Sequence, residues 1–189
     1  MIKALIFDTG GVLHADESKI IHAEIMSEFG LAKEKFKYAW RRLIPRLNRG
    51  EMPEKNFWQL FIKLSHSTAS IPKESPLLSA FVKHYKIDSN MIETVKSLKK
   101  QGYKLAVLSN TCKPHTDYNK KAGLYDEFSV LVLSNEVGMK KPEPRIYKLA
   151  LEKLNTRPDE SVFIDDMEEY VKAAQELGIK ASFLRTLGC

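Results

Sequence analysis

Only two cysteines occur in 189 residues, Cys112 and Cys189. That is too few for a disulfide framework, and both are expected to be free thiols. No apolar run approaches the about 20 residues that a membrane-spanning helix needs. The first apolar stretch breaks at Asp8 without a small-residue cleavage site, so no signal peptide is read there. A cytoplasmic protein with no membrane partner is expected. Zinc-finger spacing, a Walker loop, GxGxxG and HExxH are all missing, as are internal repeats and low-complexity tracts. A large excess of one charge sign is also missing: 30 Lys+Arg against 24 Asp+Glu leave a modest formal charge of +6. A surplus of that size suits anionic small molecules and would suit nucleic acid. No nucleic-acid module accompanies it, so a generic basic surface is expected and no nucleic-acid partner.

What is present is enough for one domain, or one domain with a modest insertion: 43% of the residues are hydrophobic. The stretch Ile2 to Phe7 is a short apolar run with one lysine, and it stops at Asp8, followed by Gly10 and Gly11. A run this short, ended by glycine, reads as a buried strand. Open α/β sheets put their chemistry just beyond the carboxyl ends of their strands, where Asp8 would stand. The plainer alternative is a core strand whose aspartate merely begins a turn.

Beyond His14 the pattern becomes helical. Ile20, Ile21, Ile25, Met26 and Phe29 fall near helical spacing, with Asp16 or Ser18 as N-cap and Gly30 as stop. A second helix is expected over about Lys33 to Ile44, interrupted by Pro45. A third runs from about Pro53 to Leu64 and a fourth from about Leu77 to Tyr85. After Asp88 helices alternate with short apolar runs, Tyr103 to Leu108, Phe128 to Leu133, Val162 to Ile164 and Ile179 to Leu184. Alternation of this kind implies a parallel sheet with right-handed crossovers.

Three of the apolar runs end in functional groups: Asp8, Ser109 and Asp165-Asp166. Lys141 follows a fourth, ahead of a helix that begins at Pro144. A nucleophilic carboxylate needs a nearby cation to stay charged and to admit an anionic substrate. Mg²⁺ prefers one or two carboxylates together with substrate phosphate. A hydroxyl and a lysine would hold the remaining phosphate oxygens. Together these groups describe a phosphoryl-transfer layout, in which catalysis is mostly positioning and charge stabilisation.

Four segments carry a resemblance: Phe7-Asp-Thr-Gly-Gly-Val-Leu13, Leu108-Ser-Asn-Thr111, Val137-Gly-Met-Lys-Lys141-Pro-Glu-Pro-Arg-Ile-Tyr147 and Val162-Phe-Ile-Asp-Asp166. The chain resembles the haloacid dehalogenase-like (HAD) hydrolase superfamily, in particular the phosphatase domain of soluble epoxide hydrolases and small sugar-phosphatase-like proteins. The resemblance implies an α/β fold, a Rossmann-like parallel-sheet core (residues 1–15 and 86–189). A small all-helical, C1-type cap (residues 16–85) is inserted after the first strand. It implies a Mg²⁺-dependent phosphatase for a small phosphorylated metabolite, working through an aspartyl-phosphate, as a monomer or homodimer.

By match, Asp8 would be the nucleophile. Ser109, with Asn110 and Gly11, would bind phosphate, and Lys141 would neutralise it. Asp8, Asp165, Asp166 and the backbone carbonyl of Gly10 would hold the metal. Two departures stand out. Such phosphatases usually carry a second aspartate two residues after the nucleophile, for general acid-base work, and here that residue is Gly10. Either the enzyme is slow, or its substrate has a good leaving group such as an anomeric or acyl phosphate, or another residue substitutes. His14 is the nearest group with a suitable pKa, about 6.5 unperturbed, against the alternative of an ordinary loop histidine. Tyr170 is the second departure, where relatives often have asparagine. The rival functions are a phosphate- or partner-binding protein without catalysis, and a metal-independent 2-haloacid dehalogenase, against which the Asp165-Asp166 pair argues. Arg41, Arg42, Arg46 and Arg49 are expected on a solvated helix face, and Cys112 as an inert neighbour.

Overall fold

The computed structural model describes residues 1–184; Cys189, expected to be a free thiol, lies outside them. The elements follow the order β1 (Ala4–Phe7), α1 (Ser18–Glu28), α2 (Lys33–Asn48), α3 (Glu54–Ser65), α4 (Pro76–His84), α5 (Ser89–Lys100), β2 (Lys104–Ser109) and α6 (Lys113–Lys121). They continue with β3 (Val130–Leu133), α7 (Ser134–Val137), α8 (Pro144–Leu154), a 3₁₀ turn, β4 (Ser161–Asp165), α9 (Glu168–Glu176) and β5 (Lys180–Phe183). All five strands are parallel, in the order β3-β2-β1-β4-β5.

A parallel sheet is covered on both faces, which is why its strands read as unbroken apolar runs. The period-two alternation assigns the faces. Ala4 and Ile6 pack with Ala106, Leu108 and Phe163 against Ile146, Tyr147 and Ala150 of α8 and Ala174 of α9. Phe7 points the other way, into a cluster with Leu13, Val107, Leu124, Phe128 and Val95 of α5.

The register places the chemistry. Phe7 pairs with both Val107 and Ile164, so β1, β2 and β4 end side by side. Asp8, Ser109 and Asp165 therefore meet at one edge of the sheet, at its centre.

Helices α1 to α4 form a separate aromatic core over that edge. Phe29, Phe36, Phe57, Trp58 and Phe61 are all buried there, joined by Cys112 from below. The rings stack in pairs, with Phe29 on Trp58 at 4.9 Å and Phe36 on Trp40 at 5.1 Å. Burying one such side chain stabilises by about 1.5–3 kcal/mol.

The structure differs from the pattern at several points. Pro45 does not end α2, which runs on to Asn48. A proline inside a helix costs about 3 kcal/mol. Leu43 and Leu47, buried on either side of it, offset that by holding the helix face in the core. The residue before α1 is Glu17, without a side-chain cap; the Asp16 carboxylate accepts from the Ser18 N–H at 3.0 Å instead. The helix α6 begins at Lys113, with Pro114 in its first turn. The single-turn helix α7 carries too few residues for a periodic signal.

Candidate active site

At the centre of the sheet edge Lys141 Nζ lies 2.8 Å from Asp8 Oδ1 and 2.6 Å from Asp165 Oδ2. Lys141 and Asp165 are 0% exposed, so this ion pair is sealed from water. Burial alone would lower the Lys141 pKa, but the charges and hydrogen bonds of Asp8 and Asp165 raise it above its ordinary value. The ammonium stays charged, which a buried carboxylate nucleophile needs. Burial pushes Asp165 above the ordinary carboxylate range, and Lys141 offsets part of that. The other Asp165 oxygen accepts from the Met167 N–H at 2.8 Å, which fixes the acidic turn after β4.

Asp166 completes the set. One carboxylate oxygen from each of Asp8, Asp165 and Asp166 lies within 4.8 Å of the others. Burial and then the charges of Asp8 and Asp165 push Asp166 up to about 7. Three carboxylates beside one ammonium leave a surplus of negative charge, and hard oxygen donors at this spacing suit Mg²⁺. Gly11, at φ +74°, runs so close to this group that a Cβ there would lie 2.1 Å from Asp166 Oδ2.

The hydroxyl of Ser109 is 2.6 Å from that of Thr9, joining the ends of β1 and β2. Asn110 spends its amide on the backbone of Lys141. Its Oδ1 accepts from the Lys141 N–H at 2.8 Å, and its Nδ2 donates to the Lys141 carbonyl at 3.0 Å. Nδ2 also lies 3.3 Å from the Tyr170 hydroxyl, and Lys141 Nζ stands 5.0 Å from the centre of the Tyr170 ring. Tyr170 thus buttresses Lys141 and Asn110.

Gly10 and His14 are joined in a small backbone bridge. A Cβ built on Gly10 would meet His14 Cε1 at 3.7 Å. The imidazole therefore lies in the direction a Gly10 side chain would take. His14 Nδ1 is 2.8 Å from the Ala15 carbonyl and 3.1 Å from Glu17 Oε2. Burial alone would lower the His14 pKa; the hydrogen bond and charge of Glu17 raise it above its ordinary value.

Between the sheet edge and helices α1 to α4 lies a cavity of about 430 Å³. Its floor includes Asp8, Gly10, Ser109, Asn110, Lys140 and Asp166; its walls include His14, Trp40, Phe81 and His115. Lys141, Asp165 and Gly11 sit behind the floor. None of the four arginines lines it. Arg49 pairs with Glu143 and Arg46 with Glu51, while Arg42 lies over the Tyr38 ring at 4.5 Å. Burial pushes the Cys112 thiol up to about 12, which keeps it protonated and unreactive. The sequence reading passed over Glu17 and His115. The spacing of His14 and Glu17 was a signal for the first; nothing in the sequence ties His115 to a site.

The family model of haloacid dehalogenase-like hydrolases matches residues 5–184. The chain belongs to that family. It is 27% identical over 203 residues to bifunctional epoxide hydrolase 2 of Sus scrofa, an alignment covering 97% of this chain and 36% of the relative. The chain thus spans about a third of that relative's length. It is 25% identical to the glyceraldehyde 3-phosphate phosphatase of Methanopyrus kandleri over 194 residues, covering 95% of this chain and 82% of that one. Among solved structures, a HAD family enzyme of Bacteroides thetaiotaomicron in complex with magnesium and inorganic phosphate superposes with a TM-score of 0.81. It shares 27% identity, with 100% of this chain and 97% of that chain covered. Among the described residues, no helix is long and apolar enough to cross a membrane.

Proposed function

We propose that the protein is a Mg²⁺-dependent phosphatase for a small phosphorylated metabolite. One observation carries the reading: Asp8, Lys141 and Asp165 form a buried chain of ion pairs, with Asp166 beside it, beneath a cavity open to a small molecule. The relatives point the same way. Residues 16–85 serve as the cap, with residues 1–15 and 86–184 as the core.

Asp8, Asp165, Asp166 and the Gly10 carbonyl would hold Mg²⁺, which supplies charge stabilisation to the phosphoryl oxygens when bound. Ser109 and Lys140, both lining the floor, orient the phosphate. Lys141 holds Asp8 in place through their ion pair, and Asn110 holds Lys141. An Asp8 carboxylate oxygen attacks phosphorus and the alcohol oxygen leaves. His14 Nε2, which has no hydrogen-bond partner among the described residues, faces the reaction and gives the alcohol its proton. The same nitrogen takes a proton from the water that then cleaves the aspartyl-phosphate, returning Asp8 and inorganic phosphate. Glu17 holds the imidazole in place throughout.

The test is hydrolysis of a panel of phosphate esters, p-nitrophenyl phosphate and sugar 1-phosphates among them, with Mg²⁺ and with EDTA. Phosphate release that needs Mg²⁺, and that falls at least about 10⁴-fold in Asp8→Asn, is the expected result. Activity retained in Asp8→Asn would overturn the mechanism. Binding of phosphate and Mg²⁺ without turnover would replace it with a binding role. Halide release from haloacids in EDTA would replace it with a dehalogenase.

A further inference from the structure

One wall of the cavity carries polar atoms that the protein itself leaves unanswered. Among the described residues, three buried side-chain polar atoms have no hydrogen-bond partner: Glu17 Oε1, the Tyr85 hydroxyl and Asn119 Oδ1. Glu17 is 4% exposed and Asn119 2%, yet both line the cavity. A buried polar atom without a partner is costly, and native structures hold few of them.

Glu17 and Asn119 belong to one stretch of wall, and Tyr85 packs behind it. Glu17 Oε2 is 3.1 Å from His14, whose ring lies 5.3 Å from that of Tyr85 and 5.4 Å from that of Phe81. Phe81 stacks at 4.1 Å on His115. Asn119 stands four residues further along α6, on the same helix face as His115. Tyr85 also packs at 5.0 Å against Tyr118, the neighbour of Asn119. So the unpartnered atoms follow the line Glu17, His14, Phe81, His115, Asn119 around the side of the cavity.

Their chemistry is one-sided. A carboxylate oxygen and an amide oxygen only accept, and a phenol hydroxyl can do either. His115 adds no charge: its Nε2 lies 3.2 Å from the Leu77 carbonyl, and burial holds the imidazole neutral at ordinary pH. A wall of acceptors calls for donors. Glu17 Oε1 and Asn119 Oδ1 offer an anionic group no donor.

Resting on the phosphatase reading, we propose that the leaving group carries hydrogen-bond donors, a hydroxyl or an amine, and no second anionic group. Glu17 and Asn119 recognise those donors. The apolar body between donor and phosphate lies along Ile21, Trp40, Leu77 and Phe81. The binding selects by what an apolar analogue fails to provide, since it leaves Glu17 and Asn119 unpaired.

The experiment compares four series of alkyl phosphates of two to five carbons, ending in hydroxyl, amine, methyl or carboxylate. The expected result is a kcat/KM for the best donor-bearing ester at least about tenfold above its methyl-ended match, with the carboxylates poorest. Which of hydroxyl and amine leads identifies the donor. Asn119→Leu and Asn119→Ala should each shrink the donor-to-methyl ratio. Equal use of methyl and donor esters, preference for carboxylates, or a ratio unchanged in both variants would overturn the assignment while leaving the phosphatase intact. Silence toward all four series and toward p-nitrophenyl phosphate would remove the phosphatase reading itself, and this one with it.

Discussion

The backbone of Gly11 lies against the carboxylate of Asp166, leaving no room for a methyl group: a Cβ would fall 2.1 Å from Oδ2. Gly11 also sits at φ +74°, a conformation that costs an L-residue about 1–2 kcal/mol. Gly11→Ala is therefore expected to displace Asp166 as well as strain the turn. Misplacement of this kind costs about 10²-fold in rate. Magnesium titrations of activity should show weaker metal dependence together with the rate loss. Wild-type magnesium dependence and rate in the variant would mean that Asp166 moves aside at no cost and is not a ligand.

On the proposed mechanism, His14 does the work of the carboxylate that such phosphatases carry where this chain has Gly10. Losing a general acid typically costs about 10² to 10⁴-fold, and more for a leaving group that needs its proton. His14→Gln should thus slow alkyl phosphates by about that factor, and p-nitrophenyl phosphate much less. Gly10 has no positive φ, and its Cβ direction has ordinary contact with His14. Adding Gly10→Asp to the His14→Gln background should restore alkyl phosphate turnover. An equal slowing of both substrates by His14→Gln would assign His14 a structural part only.

His115 links stability to pH. Burial depresses its pKa from 6.5 to about 4. The folded state binds fewer protons than the unfolded state between these values, so stability is complete above pH about 6.5 and falls as the pH drops to about 4. The full difference is roughly 3 kcal/mol. His14 has its pKa raised and contributes the opposite slope, so the comparison must be with His115→Gln. Urea denaturation from pH 7.5 to 4 should give a shallower loss in the variant than in the wild type. Parallel curves would show that His115 is solvated or charged in the folded protein.

The central strands were legible because a doubly covered strand must be an apolar run, and each run ends in a polar residue that names itself: Asp8, Ser109, Asp165. The aromatic helices α1 to α4 were legible from spacing. Pro45 was not, because the burial of Leu43 and Leu47 that overrides it is a tertiary effect. The wall built from His115 and Asn119 was also hidden. These residues lie on α6, a polar helix without a clear periodic face, and only the fold brings them opposite Glu17. Asn110 lines the cavity, where the resemblance implies a phosphate ligand, and its second partner is hidden from the sequence. Its amide is committed to Lys141, a partner 31 residues away that no local pattern reveals.

That amide does what a neighbouring strand would do. Asn110 offers Lys141 one acceptor and one donor, the pair of bonds by which a sheet would fix a residue's position, at a point where no strand runs. The position of the lysine is therefore set from the end of β2 and not by the length of chain leading up to it. The charge beneath Asp8 is thus pinned to the sheet by a side chain that lies 31 residues away along the chain.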